Sequence, residues 1–285
     1  MRNVGTKHIV SAPMTASADT LRRLGLKTEV KTDHSPEKTA PFHDLIISAH
    51  IPNGPSGEYR YNISAADSEF RQFSLDAITA YIDKVRHFPN LRQVVLHCHT
   101  QRYFHVEQPR GHVGEYGLLI DGIRQVGAFA DKFGIEVVLE NDTLKWTDIP
   151  ETTEALEVDW TQRNHVFGVA PEAWIKVCED VSRHNVRLCL DGSHLCTYAA
   201  LFDAEKRPAI AMAYLAQAHL ITHVHWNDNY LMDKRGRKGH HVLLGKGSLP
   251  REFHKKVKSL NATLLLEHFE TVESLEEELD YISKL

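Results

Sequence analysis

The chain has 285 residues, of which 42 % are hydrophobic, and a net charge of −5 with histidine neutral. This length and composition fit one large α/β domain or two ordinary ones, and the charge gives no support to a strongly basic nucleic-acid surface, although it does not exclude a local basic groove. No apolar run approaches the roughly 18 residues that span a membrane, and no signal-peptide segment opens the chain. The four cysteines form no CxxC pair. We therefore expect a soluble protein of the reducing cytoplasm.

Apolar strands and amphipathic helices alternate along the chain. Strands are predicted at residues 7–11, 28–32, 44–50, 93–98, 136–140, 186–191, 221–226 and 263–267. Helices are predicted at residues 15–24, 68–88, 115–133, 171–184, 198–220, 250–260 and 274–285. Eight such units predict a parallel sheet covered by helices, a single (β/α)8 TIM barrel in which residues 1–285 are one domain. A doubly wound open sheet is the alternative, but no GxGxxG motif follows a strand.

Six of the predicted strands end on a residue that can bind a metal ion. These residues are His50, His97 with His99 beyond it, Glu140, Asp191 with His194 beyond it, His225 with His223 before it, and Glu267. Because TIM-barrel enzymes place their chemistry at the carboxyl ends of the strands, we expect these side chains to form one ring. A single histidine at a strand end can be a packing residue, and a single buried carboxylate can belong to a salt bridge. Neither explanation accounts for six strands that all end on a possible metal ligand. Oxygen and imidazole ligands without thiolates suit Zn²⁺, Mn²⁺, Co²⁺ or Mg²⁺.

The loop after the seventh strand contains two further histidines and several cations. They are His240, His241, Lys234, Arg235, Arg237 and Lys238, and the loop after the fourth strand adds Arg102 and Arg110. Two interpretations remain open. The first is a solvated, mobile loop with ordinary surface charges. The second is a lid whose histidine and cations contact a phosphate or carboxylate group of a substrate.

Four of the candidate ligands, Glu140, Asp191, His225 and Glu267, occur together with the sequence HVHWNDN at residues 223–229, a following histidine and a GxG at residues 245–247. From about His50 to its end, the chain thereby resembles the xylose-isomerase-like TIM-barrel superfamily, which includes sugar isomerases, epimerases and endonuclease IV. In the isomerase and epimerase branch, the resemblance implies that these four residues bind one divalent ion. It also implies that Glu140 and Glu267 are catalytic and move a proton at the carbon next to a carbonyl.

Substrate contacts are predicted for residues around this ion. They are His194, which the resemblance implies, and His99, His223, Arg102 and His240, which the strand ends and loops suggest.

The endonuclease IV branch carries three zinc ions, and the chain has counterparts for most of their ligands. By this resemblance, the first set is His50, His97 and Glu140, the second is Glu140, Asp191, His225 and Glu267, and the third is His194 and His241. The chain departs from the pattern at Gly239, where an aspartate is expected, and at Lys246, where an acidic residue is common. The sequence Glu-Asn-Asp that begins at Glu140 is closer to the UV-damage endonucleases, a third group of relatives.

The sequence therefore predicts a metal-dependent isomerase or epimerase that acts on a sugar, sugar phosphate or polyol. A homo-oligomer is compatible with the sequence, which leaves the oligomeric state open. The alternative is a multi-zinc phosphodiesterase that resembles endonuclease IV or the UV-damage endonucleases and acts on damaged DNA. For this alternative, His50 and His97 are the main argument, because a one-metal isomerase does not need them. A barrel that binds sugar or metal without turnover is a third interpretation.

Overall fold

Eight short parallel strands form a single sheet. In the computed structural model, which describes residues 9–31, 34–54, 60–98, 114–147, 149–160, 167–268 and 271–285, the strands are β1 (Ile9–Ser11), β2 (Thr28–Val30), β3 (Ile46–His50), β4 (Gln93–His97), β5 (Glu136–Glu140), β6 (Val186–Asp191), β7 (Ile221–Trp226) and β8 (Thr263–Leu266). Their order is β1-β8-β7-β6-β5-β4-β3-β2. A parallel bridge between Ser11 and Lys27 joins β1 to the residue before β2. The sheet is therefore a nearly closed barrel, which confirms the predicted (β/α)8 fold and contradicts the doubly wound alternative.

Helices connect most of the strands and cover the barrel. They are α1 (Ala18–Leu24), α2 (Pro36–Thr39), α3 (Ser68–Val85), α4 (Tyr116–Asp131), α5 (Pro171–Val181), α6 (His194–Ala199), α7 (Arg207–Ala213), α8 (Arg251–Ser259) and α9 (Val272–Ser283). In α3, for example, the buried residues Leu75, Ile78 and Ile82 recur every three or four positions, and the side chain of Asp67 caps the first turn. Within the described ranges, no helix combines the length and hydropathy that a membrane-spanning segment requires.

The helix predicted at residues 198–220 is wrong in its bounds. The chain instead forms two short helices, α6 and α7, and a 3₁₀ turn at Ala218–Leu220. Helix α6 begins earlier than predicted because Asp191 Oδ1 accepts the backbone N–H groups of Ser193 (2.6 Å) and His194 (2.8 Å). Pro208 lies in the first turn of α7, where its missing N–H has no intrahelical partner to lose.

Side chains that alternate along the strands fill the barrel in layers. Because successive strand residues point to opposite faces, Val95, Val138 and Cys189 lie two positions before the strand ends of β4, β5 and β6. All three are fully buried and form a small apolar cluster separate from the main core. The residues at the ends of the same strands, His97, Glu140 and Asp191, project to the same side one layer higher. The barrel thus gathers the strand-end residues above a packed interior.

Candidate metal centre

The strand-end residues form three adjoining sets that could each hold a metal ion. Within each set, one nitrogen or carboxylate oxygen from every member lies within 4.8 Å of the others. The flank set is His50, His97 and Glu140; the central set is Glu140, Asp191, His225 and Glu267; the mouth set is Asp191, His194 and His241. Glu140 and Asp191 each belong to two sets. The three sets are therefore one continuous site, called the ring below.

His225 is at the middle of the central set. Its Nδ1 atom lies 3.1 Å from Glu140 Oε1, 3.1 Å from Glu267 Oε2 and 3.8 Å from Asp191 Oδ2. These side chains come from β5, β6, β7 and the residue after β8, and His225 and Asp191 are completely buried. Three carboxylates thus approach a single imidazole nitrogen from three directions.

The two outer sets extend the ring on either side. In the flank set, His50 Nε2 lies 3.2 Å from His97 Nε2, and the two nitrogens lie 3.4 and 3.1 Å from Glu140 Oε2. In the mouth set, Asp191 Oδ2 lies 3.9 Å from His194 Nε2 and 4.0 Å from His241 Nε2. The mouth-set distances are too long for hydrogen bonds, so these nitrogens converge on the carboxylate without bonding to it.

The second nitrogen of each ring histidine faces an oxygen atom, in a hydrogen bond for His50, His194 and His241 and at ion-pair distance for the other two. The contacts are His50 Nδ1 with the carbonyl of Ile51 (2.9 Å), His194 Nδ1 with that of Asn141 (2.9 Å), His241 Nδ1 with that of Glu267 (2.9 Å), His97 Nδ1 with Asp142 Oδ2 (3.3 Å) and His225 Nε2 with Glu29 Oε1 (3.4 Å). Because a carbonyl oxygen only accepts, the nitrogen facing it carries the proton and the opposite nitrogen keeps a free electron pair. This arrangement is typical of histidines that bind metals.

The donor atoms of the ring fit a divalent cation. Glu140 Oε2 and Glu267 Oε2 are buried and lie 3.1 Å from His97 Nε2 and from His225 Nδ1, in each case without the geometry of a good hydrogen bond. A buried carboxylate oxygen left in this state is costly unless a cation is close to it. Imidazole nitrogens and carboxylate oxygens, with no thiolate among the three sets, are a donor set that zinc, manganese, cobalt and magnesium accept.

The carboxyl groups of the ring are buried beside histidines, and burial and the histidines shift their pKa values in opposite directions. Burial by itself raises the pKa of Glu140, but the adjacent His97 holds it well below its usual range. Glu267 is similar, because His225 outweighs the effect of burial on its pKa. Burial raises the pKa of Asp191, which its histidine neighbours only partly offset. The two glutamates are therefore ionised near neutral pH, the form that binds metals.

Glu29 on β2 and Lys31 after it complete the site, and neither was predicted from the sequence as a site residue. Burial alone would raise the pKa of Glu29, but His225 and His223 hold it well below its usual range, and its Oε2 lies 3.1 Å from His223 Nε2. Lys31 Nζ lies 2.6 Å from Glu267 Oε1, so one oxygen of Glu267 is already paired. Their spacing of two residues on a strand was the signal for a shared face. Glu29 lies inside β2 and Lys31 after it, whereas the candidate site residues were predicted at strand ends.

The remaining predicted site residues lie in different places. His223 is fully buried one layer below the ring, between Glu29 and Thr263. His223 is therefore not among the substrate contacts that we propose. His240 is exposed and packs edge-on against Tyr230, with the ring centroids 6.1 Å apart. His99, Arg102 and Arg110 lie outside the described residues, and their predicted contacts stay predictions.

The loop cations predicted as possible substrate contacts have partners elsewhere. Lys234 pairs with Glu154 (2.6 Å) and Lys238 with Glu151 (2.5 Å). Arg237 donates to the carbonyl of Thr153 (3.0 Å) and stacks over Trp146, while Arg235 pairs with Asp233. Three of these cations attach the loop to residues 151–154, and Arg235 pairs with Asp233 inside the loop. None of these contacts is with the ring.

Asp228 shapes the loop that carries His241. Its Oδ1 accepts the backbone N–H of Leu249 (3.0 Å) and its Oδ2 accepts that of Gly245 (3.1 Å). Asp228 also forms an antiparallel bridge with Val242, next to His241. A Cβ atom on Gly247 would lie 2.2 Å from Asp228 Oδ1, so only glycine fits there. The Asp228 carboxylate and the GxG motif therefore act together to place His241 beside Asp191.

Comparison with known proteins agrees with the fold. The family model described as xylose isomerase-like TIM barrel matches residues 39–285 of the chain. No curated protein sequence matches it significantly.

Several solved structures are similar to the chain over nearly its whole length. The apo form of 3-keto-D-glucoside 4-epimerase from E. coli is 14 % identical and has a TM-score of 0.65, with 98 % of this chain and 100 % of that chain covered. A D-tagatose 3-epimerase-like protein is 16 % identical with a TM-score of 0.63, covering 97 % and 98 % of the two chains. D-psicose 3-epimerase in the presence of D-fructose is 19 % identical with a TM-score of 0.60, covering 91 % and 84 %. At such identities the likeness establishes the fold alone.

Proposed function

Because the chain belongs to the xylose isomerase-like TIM barrel family, we propose that it is a metal-dependent isomerase or epimerase of a sugar or sugar derivative. The similar structures that carry epimerase names support this class of reaction. The proposed substrate is a small sugar, sugar phosphate or polyol. Fold alone does not determine activity, so the proposal depends on the residues of the ring.

The observation that carries the proposal is the position of two buried glutamates. Glu140 on β5 and Glu267 after β8 each bring an oxygen to 3.1 Å from the same nitrogen of His225. Two carboxylates on either side of one position can remove a proton from a substrate carbon and return one to it. We propose that Glu140 and Glu267 perform this exchange at the carbon next to a carbonyl.

The central set of the ring would hold the metal. Glu140, Asp191, His225 and Glu267 supply three carboxylates and one imidazole, which fit a divalent ion. When bound, such an ion supplies Lewis acidity that polarises the oxygens of the substrate. Lys31, paired with Glu267 Oε1, fixes the orientation of that carboxylate so that its other oxygen faces His225.

A specific observation favours the second candidate function, a multi-metal phosphodiesterase. The flank set has the same members as the first zinc site expected from endonuclease IV, and the mouth set contains both histidines of the third, His194 and His241, with Asp191 added; a one-metal epimerase needs neither set. Against this candidate, the mouth set has three described members, and Gly239 occupies the position where the resemblance predicts a further aspartate. A Cβ atom placed on Gly239 would lie near Thr143 and Ser193, and neither of these is a candidate metal ligand.

Exchange of hydrogen with solvent tests the proposal. The protein is incubated in deuterium oxide with a series of ketoses and their phosphates, and deuterium at the carbon next to the carbonyl is measured by NMR. We expect incorporation that disappears in Glu267→Gln and persists in Glu277→Gln, a control at an exposed residue. Exchange retained in Glu267→Gln would remove the proton-transfer role, and cleavage of abasic-site DNA without any exchange would favour the phosphodiesterase.

A further inference from the structure

The side chain of Asn141 continues the hydrogen bonding between β5 and β6 beyond the end of β5. The residue pairing of these strands ends at Glu140 and Cys189, and the backbone N–H of Asn141 donates to the carbonyl of Cys189 (3.3 Å). One residue further along β6, Asn141 Oδ1 accepts the backbone N–H of Asp191 (2.6 Å) and Asn141 Nδ2 donates to the carbonyl of Asp191 (3.1 Å). Asn141 is completely buried. A single side-chain amide therefore holds both backbone groups of Asp191.

The backbone of Asp191 in turn determines where its carboxylate points. Asp191 Oδ1 accepts the N–H groups of Ser193 (2.6 Å) and His194 (2.8 Å) at the start of α6. The other oxygen, Oδ2, accepts a long hydrogen bond from Asn227 (3.4 Å) and lies 3.8 Å from His225 Nδ1. Because Oδ1 is occupied by α6, Oδ2 is the oxygen that Asp191 presents to the central and mouth sets.

Asn141 also holds a second member of the mouth set. Its backbone carbonyl accepts a hydrogen bond from His194 Nδ1 (2.9 Å), which directs the other nitrogen, Nε2, toward Asp191 Oδ2 at 3.9 Å. Asn141 follows Glu140 directly in the chain, and Glu140 belongs to both the flank and the central sets. One buried residue is thus joined to Glu140 by a peptide bond and to Asp191 and His194 by hydrogen bonds.

We propose that Asn141 is a positioning residue that sets Asp191 and His194 relative to Glu140, so that their donor atoms can hold a metal ion. A metal site requires its ligands to lie within about 0.5 Å of the productive geometry, and groups behind the ligands supply that precision. This inference rests on the metal centre of the proposed function. It does not depend on turnover.

Two matched variants separate positioning from general stability. Asn141→Leu keeps roughly the size of the side chain and removes both of its hydrogen-bonding groups. Asn185→Leu is the control, because Asn185 is also buried and its Nδ2 donates to the carbonyls of Gly127 (2.8 Å) and Ile135 (3.3 Å). Asn185 precedes β6 at the end opposite to Asp191. Both variants leave buried backbone groups without a partner, so both should lower stability.

Binding of Co²⁺ provides the measurement. The purified protein is exchanged with cobalt under conditions in which circular dichroism shows all variants folded, and the affinity is measured by competition with a chromophoric chelator. The visible absorption of bound cobalt also reports the number and geometry of its ligands. We expect Asn141→Leu to bind cobalt about 10- to 100-fold more weakly and with a changed spectrum, the usual effect of losing a group behind a metal ligand. Asn185→Leu should match the unchanged protein in both respects.

Each other outcome gives a definite answer. Unchanged affinity and spectrum in Asn141→Leu, or equal losses in the two variants, would overturn the proposal. Should a leucine variant fail to fold, Asn141→Ala and Asn185→Ala repeat the comparison. Normal cobalt binding without exchange of substrate hydrogen would refute the proposed reaction and retain the role of Asn141. An unchanged protein that binds no cobalt would refute the metal centre and this role together.

Discussion

His225 lies between two groups of carboxylates, with its Nε2 atom 3.4 Å from Glu29 Oε1 and its Nδ1 atom 3.1 Å from Glu140 Oε1. Glu29 is almost completely buried beneath the ring and also contacts His223. A carboxylate behind a metal-binding histidine fixes the direction of the ring and increases the electron density on the opposite nitrogen. Glu29 therefore acts as a positioning residue for the central set.

Replacing Glu29 by glutamine should weaken metal binding. The amide keeps the size of the side chain but removes the charge behind His225, and loss of such a partner typically reduces metal affinity by about 10- to 100-fold. Competition with a chromophoric chelator measures the affinity. Glu278→Gln is the matched control, because Glu278 is equally buried and also contacts a histidine, His268, away from the ring. Equal affinities in Glu29→Gln and the unchanged protein would show that Glu29 does not position His225.

The cations of the loop after β7 should contribute little to substrate binding. Lys234 and Lys238 pair with Glu154 and Glu151, which are largely exposed. Exposed ion pairs of this kind contribute little to stability, because water and salt screen the charges. We expect the double variant Lys234→Met/Lys238→Met to change the KM for substrate by less than about twofold and to leave the midpoint of urea denaturation almost unchanged. A large rise in KM, with stability unchanged, would support the lid interpretation, in which these lysines contact an anionic group of the substrate.

The four cysteines should be unreactive in the folded protein. All are buried and free, and burial raises the pKa of Cys98 to about 12 and that of Cys178 to about 11. A thiol below its pKa is protonated, and the thiolate is the nucleophile, so reaction at pH 8 is slow and accelerates as the pH rises toward 11. Titration with a disulfide reagent at pH 8 should detect four thiols in denaturant and essentially none without it. Rapid stoichiometric reaction of the native protein would show that a cysteine is accessible.

Trp174 supports the strand that carries Glu140. Its indole nitrogen donates to the carbonyl of Leu139 (2.8 Å), and the side chain is completely buried. Trp174→Phe leaves that carbonyl without its donor and opens space in the core, so the free energy of unfolding should fall by about 1 to 3 kcal/mol. Trp160→Phe is the control, because Trp160 donates to the carbonyl of Ala155 at the same distance, 2.8 Å, but is only partly buried. Urea denaturation should show the smaller loss in the control, and equal losses would contradict this role of Trp174.

The site residues that could be predicted from the sequence are those whose positions follow from the periodicity of the strands. His97, Glu140 and Asp191 end runs of apolar residues, and a parallel barrel brings such ends to one rim regardless of the loops. Glu29 escaped prediction because it lies inside β2 and not at the end of a strand, where the other candidate ligands lie. The helix predicted at residues 198–220 is wrong because Pro208 lies in the first turn of a separate helix, α7, and because Asp191 accepts the backbone N–H groups that begin α6 at His194.

Metal content is the most direct test of the central claim, that the ring holds a divalent ion. Protein purified without a histidine tag or chelator is analysed by elemental mass spectrometry, beside the Asp191→Asn variant as a control for binding within the ring. We expect one tightly bound divalent ion per chain in the unchanged protein and none in the variant. Two or three zinc ions per chain would favour the phosphodiesterase and make His50, His97 and His241 ligands. A chain that binds no divalent ion would contradict the metal-dependent mechanism.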